Sequence, residues 1–137
     1  MALRLADLEV GRRFEEVVVD DLSRTRVVMY AGASGDFQPL HSDEPYARAS
    51  GFPGTFAHGM LTMGLAAKVL THTFGADRLL RYRARFLATV WPGDTLRAIA
   101  TVRALDAAQR RAEFSIEVVD DAGACVMRGE ASVRVAP

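Results

Sequence analysis

Asp36 and His41 stand five positions apart in the run Ala31 to Ala47, AGASGDFQPLHSDEPYA. General acid–base chemistry needs one group that takes a proton and another that gives one near neutral pH. Histidine is suited to that by its ordinary pKa, and a carboxylate beside it completes a pair. Phe37, Gln38, Pro39 and Leu40 lie between them. Pro39 fixes its own φ and drives Gln38 out of the helical region. Gly35 lets the backbone turn sharply just before the acid. The stretch therefore reads as a tight, irregular loop presenting both groups on one side. The plainer alternative is an Asp and a His that only cap turns.

A second polar spot, Ala57-His58-Gly59-Met60, opens the one long apolar segment. Gly59 falls in the first turn of the expected helix, where backbone N–H groups have no internal partner and the helix dipole adds positive character. A glycine there permits close approach of a carbonyl oxygen. That describes an oxyanion-type donor, aimed at an oxygen that becomes an enolate. His58 reads as a structural or capping histidine, and so does His72.

The elements that must position these groups follow from the patterning. Leu3 to Gly11 is a lead-in strand or turn, and Phe14 to Val19 a valine-rich strand. Ser23 stands at an N-cap position before a short helix over 24–33. Ser42 or Asp43 caps a second short helix ending at Ser50, with Pro45 tolerated in its first turn. From His58 to Phe74 the residues are apolar on nearly every face, the mark of one long buried helix, and Gly75 is its C-cap candidate. Leu79 to Val90 alternates, with Leu80, Tyr82, Ala84, Phe86 and Ala88 on one face and Arg81, Arg83 and Arg85 on the other. Trp91 to Asp94 is a turn, residues 95–104 and 111–119 are strands, Asp120 to Gly123 is a hairpin turn, and 124–135 is the last strand. This is an α+β chain: a long helix around which an antiparallel sheet can curl. Its open sheet edges favour pairing of two protomers.

The 137 residues are expected to form a single domain, 1–137, without repeat, linker or low-complexity segment. Basic and acidic residues balance at 17 each, so no field draws the chain to nucleic acid or an anionic membrane. Half the residues are hydrophobic and mean hydropathy is +0.06, as in ordinary soluble proteins. The lone cysteine, Cys125, reads as a small core residue in a chain of the reducing cytoplasm. The N-terminus lacks a signal-peptide core, and no apolar stretch is long enough to span a bilayer.

The run Tyr30 to Glu44, YAGASGDFQPLHSDE, closely resembles the hydratase motif of the MaoC-like dehydratases, which include the (R)-specific enoyl-CoA hydratases. Ala57-His58-Gly59-Met60-Leu61 resembles the start of that family's central helix, and residues 82–96 resemble the strand and turn after it. The resemblance implies a hot-dog fold, a long central helix wrapped by a curled antiparallel β-sheet, commonly as a homodimer and in some members as a heterodimer. It implies reversible syn hydration of a trans-2-enoyl thioester, on coenzyme A or an acyl carrier protein, to an (R)-3-hydroxyacyl thioester. Asp36 and His41 would activate the water and handle the proton exchanged at Cα, and the Gly59 N–H would polarise the thioester carbonyl. Phe37, Pro39, Leu40, His58 and Met60 become candidate substrate contacts. Arg81, Arg83 and Arg85 become candidates for the phosphates of coenzyme A. No metal or redox cofactor is implied; coenzyme A enters only as part of the substrate.

Two positions depart from the family pattern. Gln38 stands where asparagine is usual, which is expected to shift the loop's internal hydrogen bond. Ala67 stands where some hydratases carry a serine that bonds the catalytic acid. Three competing readings remain. The first is a hot-dog thioesterase, whose acid usually sits on the central helix, although the helix segment here holds no Asp or Glu. The second is a subunit that acts only with a partner chain. The third is an iron site of His41, Asp43 and His72.

Overall fold

The computed structural model describes residues 3–137. A 3-10 turn at Leu5–Asp7 leads into β1 (Arg13–Val19), so the lead-in is a turn, not a strand. Helices α1 (Arg24–Ser34) and α2 (Glu44–Ala49) follow, then α3 (Gly59–Ala66) and α4 (Lys68–Phe74). Strands β2 (Leu79–Phe86), β3 (Leu96–Asp106), β4 (Arg111–Asp120) and β5 (Cys125–Arg134) complete the chain. All five strands pair antiparallel in one sheet of order β1-β3-β4-β5-β2, which leaves β1 and β2 as its edges.

Alternation produces the core. Leu96, Ala98, Ala100 and Val102 of β3 and Ala112, Phe114, Ile116 and Val118 of β4 turn inward and are buried. Leu61, Leu65, Ala66, Val69 and Leu70 of the helical segment are buried in the same core. Phe14, Phe74 and Phe114 meet edge-on or tilted at 5.7–6.1 Å between ring centroids.

Two expectations need correction. The segment read as one helix is two, divided at Ala67, where the Leu70 N–H bonds the Ala67 carbonyl three residues back at 3.0 Å. One turn earlier, the Tyr82 hydroxyl donates to the Met63 carbonyl at 2.7 Å, a side chain reaching into the ladder from the sheet. The strand read as reaching Val90 ends at Phe86, and a register shift between Leu79 and Arg81 turns Leu80 outward, 41% exposed. Cys125, expected in the core, is half-buried beside the β4–β5 turn.

Tyr82→Phe is expected to cost about 1 kcal/mol and to lower Tm by about 3–5 °C in a thermal melt, because it removes the bond to Met63. Burial pushes the Tyr82 phenol up from its usual value. A raised folded value means that this contribution is complete below the unfolded pKa, about 10, and is lost as pH climbs above it. The phenylalanine variant should lack that alkaline loss.

Candidate active site

Local capping builds the loop that carries Asp36 and His41. Ser23 starts α1 by accepting the Arg26 N–H at 3.0 Å, and Gly35 ends it at φ +76°, where its N–H closes on Ala31. The Asp36 N–H then bonds Ser34 Oγ at 3.2 Å, and Asp36 Oδ1 accepts the Gln38 N–H at 3.3 Å, an Asx turn. Gln38 takes φ −56°, ψ 123°, the extended shape that a following proline demands. Pro39–His41 is one 3-10 turn, and Asp43, rather than Ser42, caps α2 by accepting the Tyr46 N–H at 3.1 Å.

This chain of turns points the His41 ring inward. Its Nδ1 lies 2.7 Å from the Phe56 carbonyl oxygen, and a carbonyl only accepts. Nδ1 therefore carries the ring proton, and Nε2 presents its lone pair outward. The Phe56 ring meets His41 edge-on at 5.1 Å. Asp36 keeps its carboxylate largely in solvent, with its side chain 54% exposed.

His58 joins the two motifs. It sits at the N-cap position of α3, is 2% exposed, and places Nε2 3.0 Å from the Asp36 carbonyl oxygen. By the same logic Nε2 is its protonated nitrogen. The ring stacks on His41 with centroids 3.7 Å apart and planes 23° apart, and Tyr30 meets it edge-on at 4.9 Å. His58 Nδ1 is buried without a hydrogen-bond partner. Of the candidate substrate contacts, His58 is the most deeply buried, lying beneath the His41 ring.

Asp36, His41 and His58 offer ligand atoms within 4.8 Å of one another. His41 Nδ1 and His58 Nε2 are committed to carbonyls, however. That leaves a cation only the Asp36 carboxylate, His41 Nε2 and the buried His58 Nδ1. The iron set read from the sequence does not assemble: His72 pairs instead with Glu16 on β1, Nδ1 to Oε1 2.8 Å.

Gly59 is the first residue of α3, so its N–H belongs to the turn that helix geometry leaves unpaired. A Cβ at this position would meet the Phe86 ring at 2.9 Å, so a larger residue would require that half-exposed ring to shift. Gly59 lines a cavity of about 370 Å³ together with Phe56, Thr62, Phe86, Leu87 and Val126. Apolar groups dominate that lining, and its Phe56 wall carries the carbonyl that anchors His41.

The other candidates divide. Pro39 and Leu40 are half-buried in the loop, while Phe37 and Met60 stand 70% and 56% exposed. Arg81, Arg83 and Arg85 stay on the outward side of β2 as the alternation predicts. Arg83 and Arg85 line a separate surface groove with Arg128 and Leu87, and Leu87 also lines the cavity at Gly59. The two departures have mild structural consequences. The loop bonds at position 38 are made by backbone, so the longer Gln38 side chain leaves the Asx turn in place. The carboxylate finds its partner in the Gln38 N–H, and Ala67 marks the helix division. The residue whose part the sequence understated is His58. The signal was there: one imidazole at the entry to an otherwise apolar segment.

A MaoC-like domain family model matches residues 7–122. The (R)-specific enoyl-CoA hydratase of Rhodospirillum rubrum is 34% identical over 116 residues, 83% of this chain and 80% of that protein. The peroxisomal hydratase-dehydrogenase-epimerase of Saccharomyces cerevisiae is 45% identical over 67 residues, 49% of this chain, but the chain spans only 7% of that protein's length. Among solved structures, the unliganded R-hydratase of Pseudomonas aeruginosa superposes with a TM-score of 0.88 at 28% identity, covering 98% of this chain and 86% of that one. These likenesses are to hot-dog folds, and the curled five-stranded sheet against a central helical segment is the same architecture.

Proposed function

This chain belongs to the MaoC-like domain family, and on that premise we propose that it reversibly hydrates trans-2-enoyl thioesters to (R)-3-hydroxyacyl thioesters. The observation that carries the reading is the Asp36–His41 pair, whose side-chain atoms come within 4.8 Å, with an apolar cavity at Gly59 walled by Phe56, the residue whose carbonyl anchors His41. Water donates to both acceptors, Asp36 and His41 Nε2, and is held between them. As its oxygen bonds to Cβ, one of the pair takes its proton, and the pair returns one proton to Cα. The C=C π bond is replaced by one C–O and one C–H bond, with no change of redox state. Charge gathers on the thioester oxygen in between, and the unpaired N–H of Gly59, in the first turn of α3, is the donor proposed to hold it.

The test is to mix the protein with a short trans-2-enoyl-CoA, follow the absorbance of the conjugated thioester, and monitor free thiol in parallel. Loss of conjugation without thiol, and an (R) product on chiral analysis, is expected. Thiol release would instead mean a thioesterase. Turnover only after a second chain is added would mean a dependent subunit.

The carrier is proposed to be coenzyme A, its phosphates meeting Arg81, Arg83 and Arg85. Among the described residues none of these three makes an ion pair; Arg83 sits directly across from Glu130, and Arg128, directly across from Arg85, pairs with Glu117. Two arginines facing each other across strands repel, and a phosphate between them would relieve that. Replacing Arg83 and Arg85 by Gln should raise KM for the CoA thioester about five- to tenfold and leave the pantetheine thioester, which lacks phosphates, unchanged. We further propose a homodimer, because β1 and β2 leave open sheet edges. Light scattering at micromolar concentration should give twice the 14.9 kDa chain mass. No described helix is long and apolar enough to cross a membrane. The half-buried free thiol of Cys125 suits the cytoplasm.

A further inference from the structure

We propose that His58 is a positioning residue of this site, an inference that rests on the hydratase reading for its kinetic consequences but not for its geometry. Two contacts define the role. The Nε2–H donates to the Asp36 carbonyl at 3.0 Å, which ties the acid-bearing loop to the start of α3. The ring face lies 3.7 Å under the His41 ring, which fixes the plane in which His41 Nε2 is presented. Gly59 is the next residue along the chain, so one imidazole couples all three reacting groups. The Asp36 backbone hangs from it, His41 rests on it, and the Gly59 N–H leaves the same turn.

The contacts also constrain its protonation. With Nε2–H given to a carbonyl, a second proton could sit only on Nδ1, which is buried and faces no acceptor. A charged His58 would bury an unpaired N–H and would set a cation against His41 whenever His41 holds a proton. The charged and titratable groups facing the ring are Asp36, with Oδ2 at 4.0 Å, His41 across the stack and Tyr30 at its edge. Asp36 Oδ2 lies toward Nε2, beyond reach of Nδ1. The role therefore belongs to the Nε2–H tautomer of His58.

Amide replacements separate this role from simple packing. The Gln side-chain amide reaches the place of Nε2 and can still donate to the Asp36 carbonyl. The shorter Asn amide falls near Nδ1 and cannot. His58→Asn is expected to lower kcat about 100-fold with KM within about twofold, the cost of misplacing the reacting groups by about 1 Å. His58→Gln should recover most of that loss. Equal impairment of both variants, or an Asn variant within twofold of the parent kcat, would overturn the inference. Should the Asn variant not fold, the Gln variant decides alone: a kcat within about tenfold of the parent supports the role, and a larger loss refutes it. Nitrogen-15 NMR of the histidine side chains in the parent protein reads the geometry without any substrate. An Nε2–H tautomer of His58 is expected from its bond to the Asp36 carbonyl, and an Nδ1–H tautomer would refute it. If the parent shows no hydratase turnover, the proposed function fails while the NMR result still judges the positioning.

Discussion

Asp36→Asn and His41→Asn should each lower kcat about 10²- to 10⁴-fold and leave the fold intact. The choice of replacements follows from the geometry. Asparagine at 36 keeps the side-chain oxygen that accepts the Gln38 N–H, so the Asx turn survives while the proton acceptor is lost. Asparagine at 41 keeps a donor near the place of Nδ1 for the Phe56 carbonyl and removes the lone pair at Nε2. In the proposed mechanism the two residues hold one water between them, so the double variant should be little worse than the worse single one, the non-additivity expected of groups that act as a unit. Steady-state kinetics with circular dichroism on the same samples reads both halves of the prediction. Near-parent turnover in either single variant would remove that residue from the mechanism.

The second large effect is at Gly59, where packing and chemistry must be separated. Gly59→Ala alone is ambiguous, because the added methyl runs into the Phe86 ring at 2.9 Å. Phe86→Ala opens that space, and its ring is already 46% exposed. On that background, Gly59→Ala keeps the N–H and Gly59→Pro removes it. Proline is accepted as the first residue of a helix, and His58 already has the extended backbone, φ −61° and ψ 138°, that precedes proline. The alanine double variant should hold kcat close to the Phe86→Ala background. The proline double variant should lose about 10²- to 10³-fold, as on removal of one oxyanion donor. Equal activities would show that Gly59 matters only as a small residue against Phe86.

Much of this arrangement could be read in the chain because it is local. A proline sets the backbone of the residue before it, so Gln38 had to be extended. Ser23 and Asp43 cap because their side chains reach an N–H three residues on, and strands β3 to β5 announce themselves by period two and a turn ending in Gly123. Where the reading failed, the deciding contact came from elsewhere in the fold. The helical segment divides at Ala67 next to the turn that Tyr82 reaches from β2, and Leu80 faces outward because β2 shifts register against β5. Cys125 is only half-buried because strand β5 starts there, beside the turn that closes the β4–β5 hairpin.

The site divides along the same line. The sequence alone determined the family, the acid and imidazole, their Gly- and Pro-shaped loop and the helix start at Gly59, since all of these are set within a few residues of backbone. Only the tertiary structure decided which nitrogen of His41 is free, because that depends on the Phe56 carbonyl 15 residues away. It alone also brought His58 from the start of a helix onto the Asp36 carbonyl and the His41 ring, because a hydrogen bond spanning 22 residues and a ring stack exist only once the chain has closed on itself.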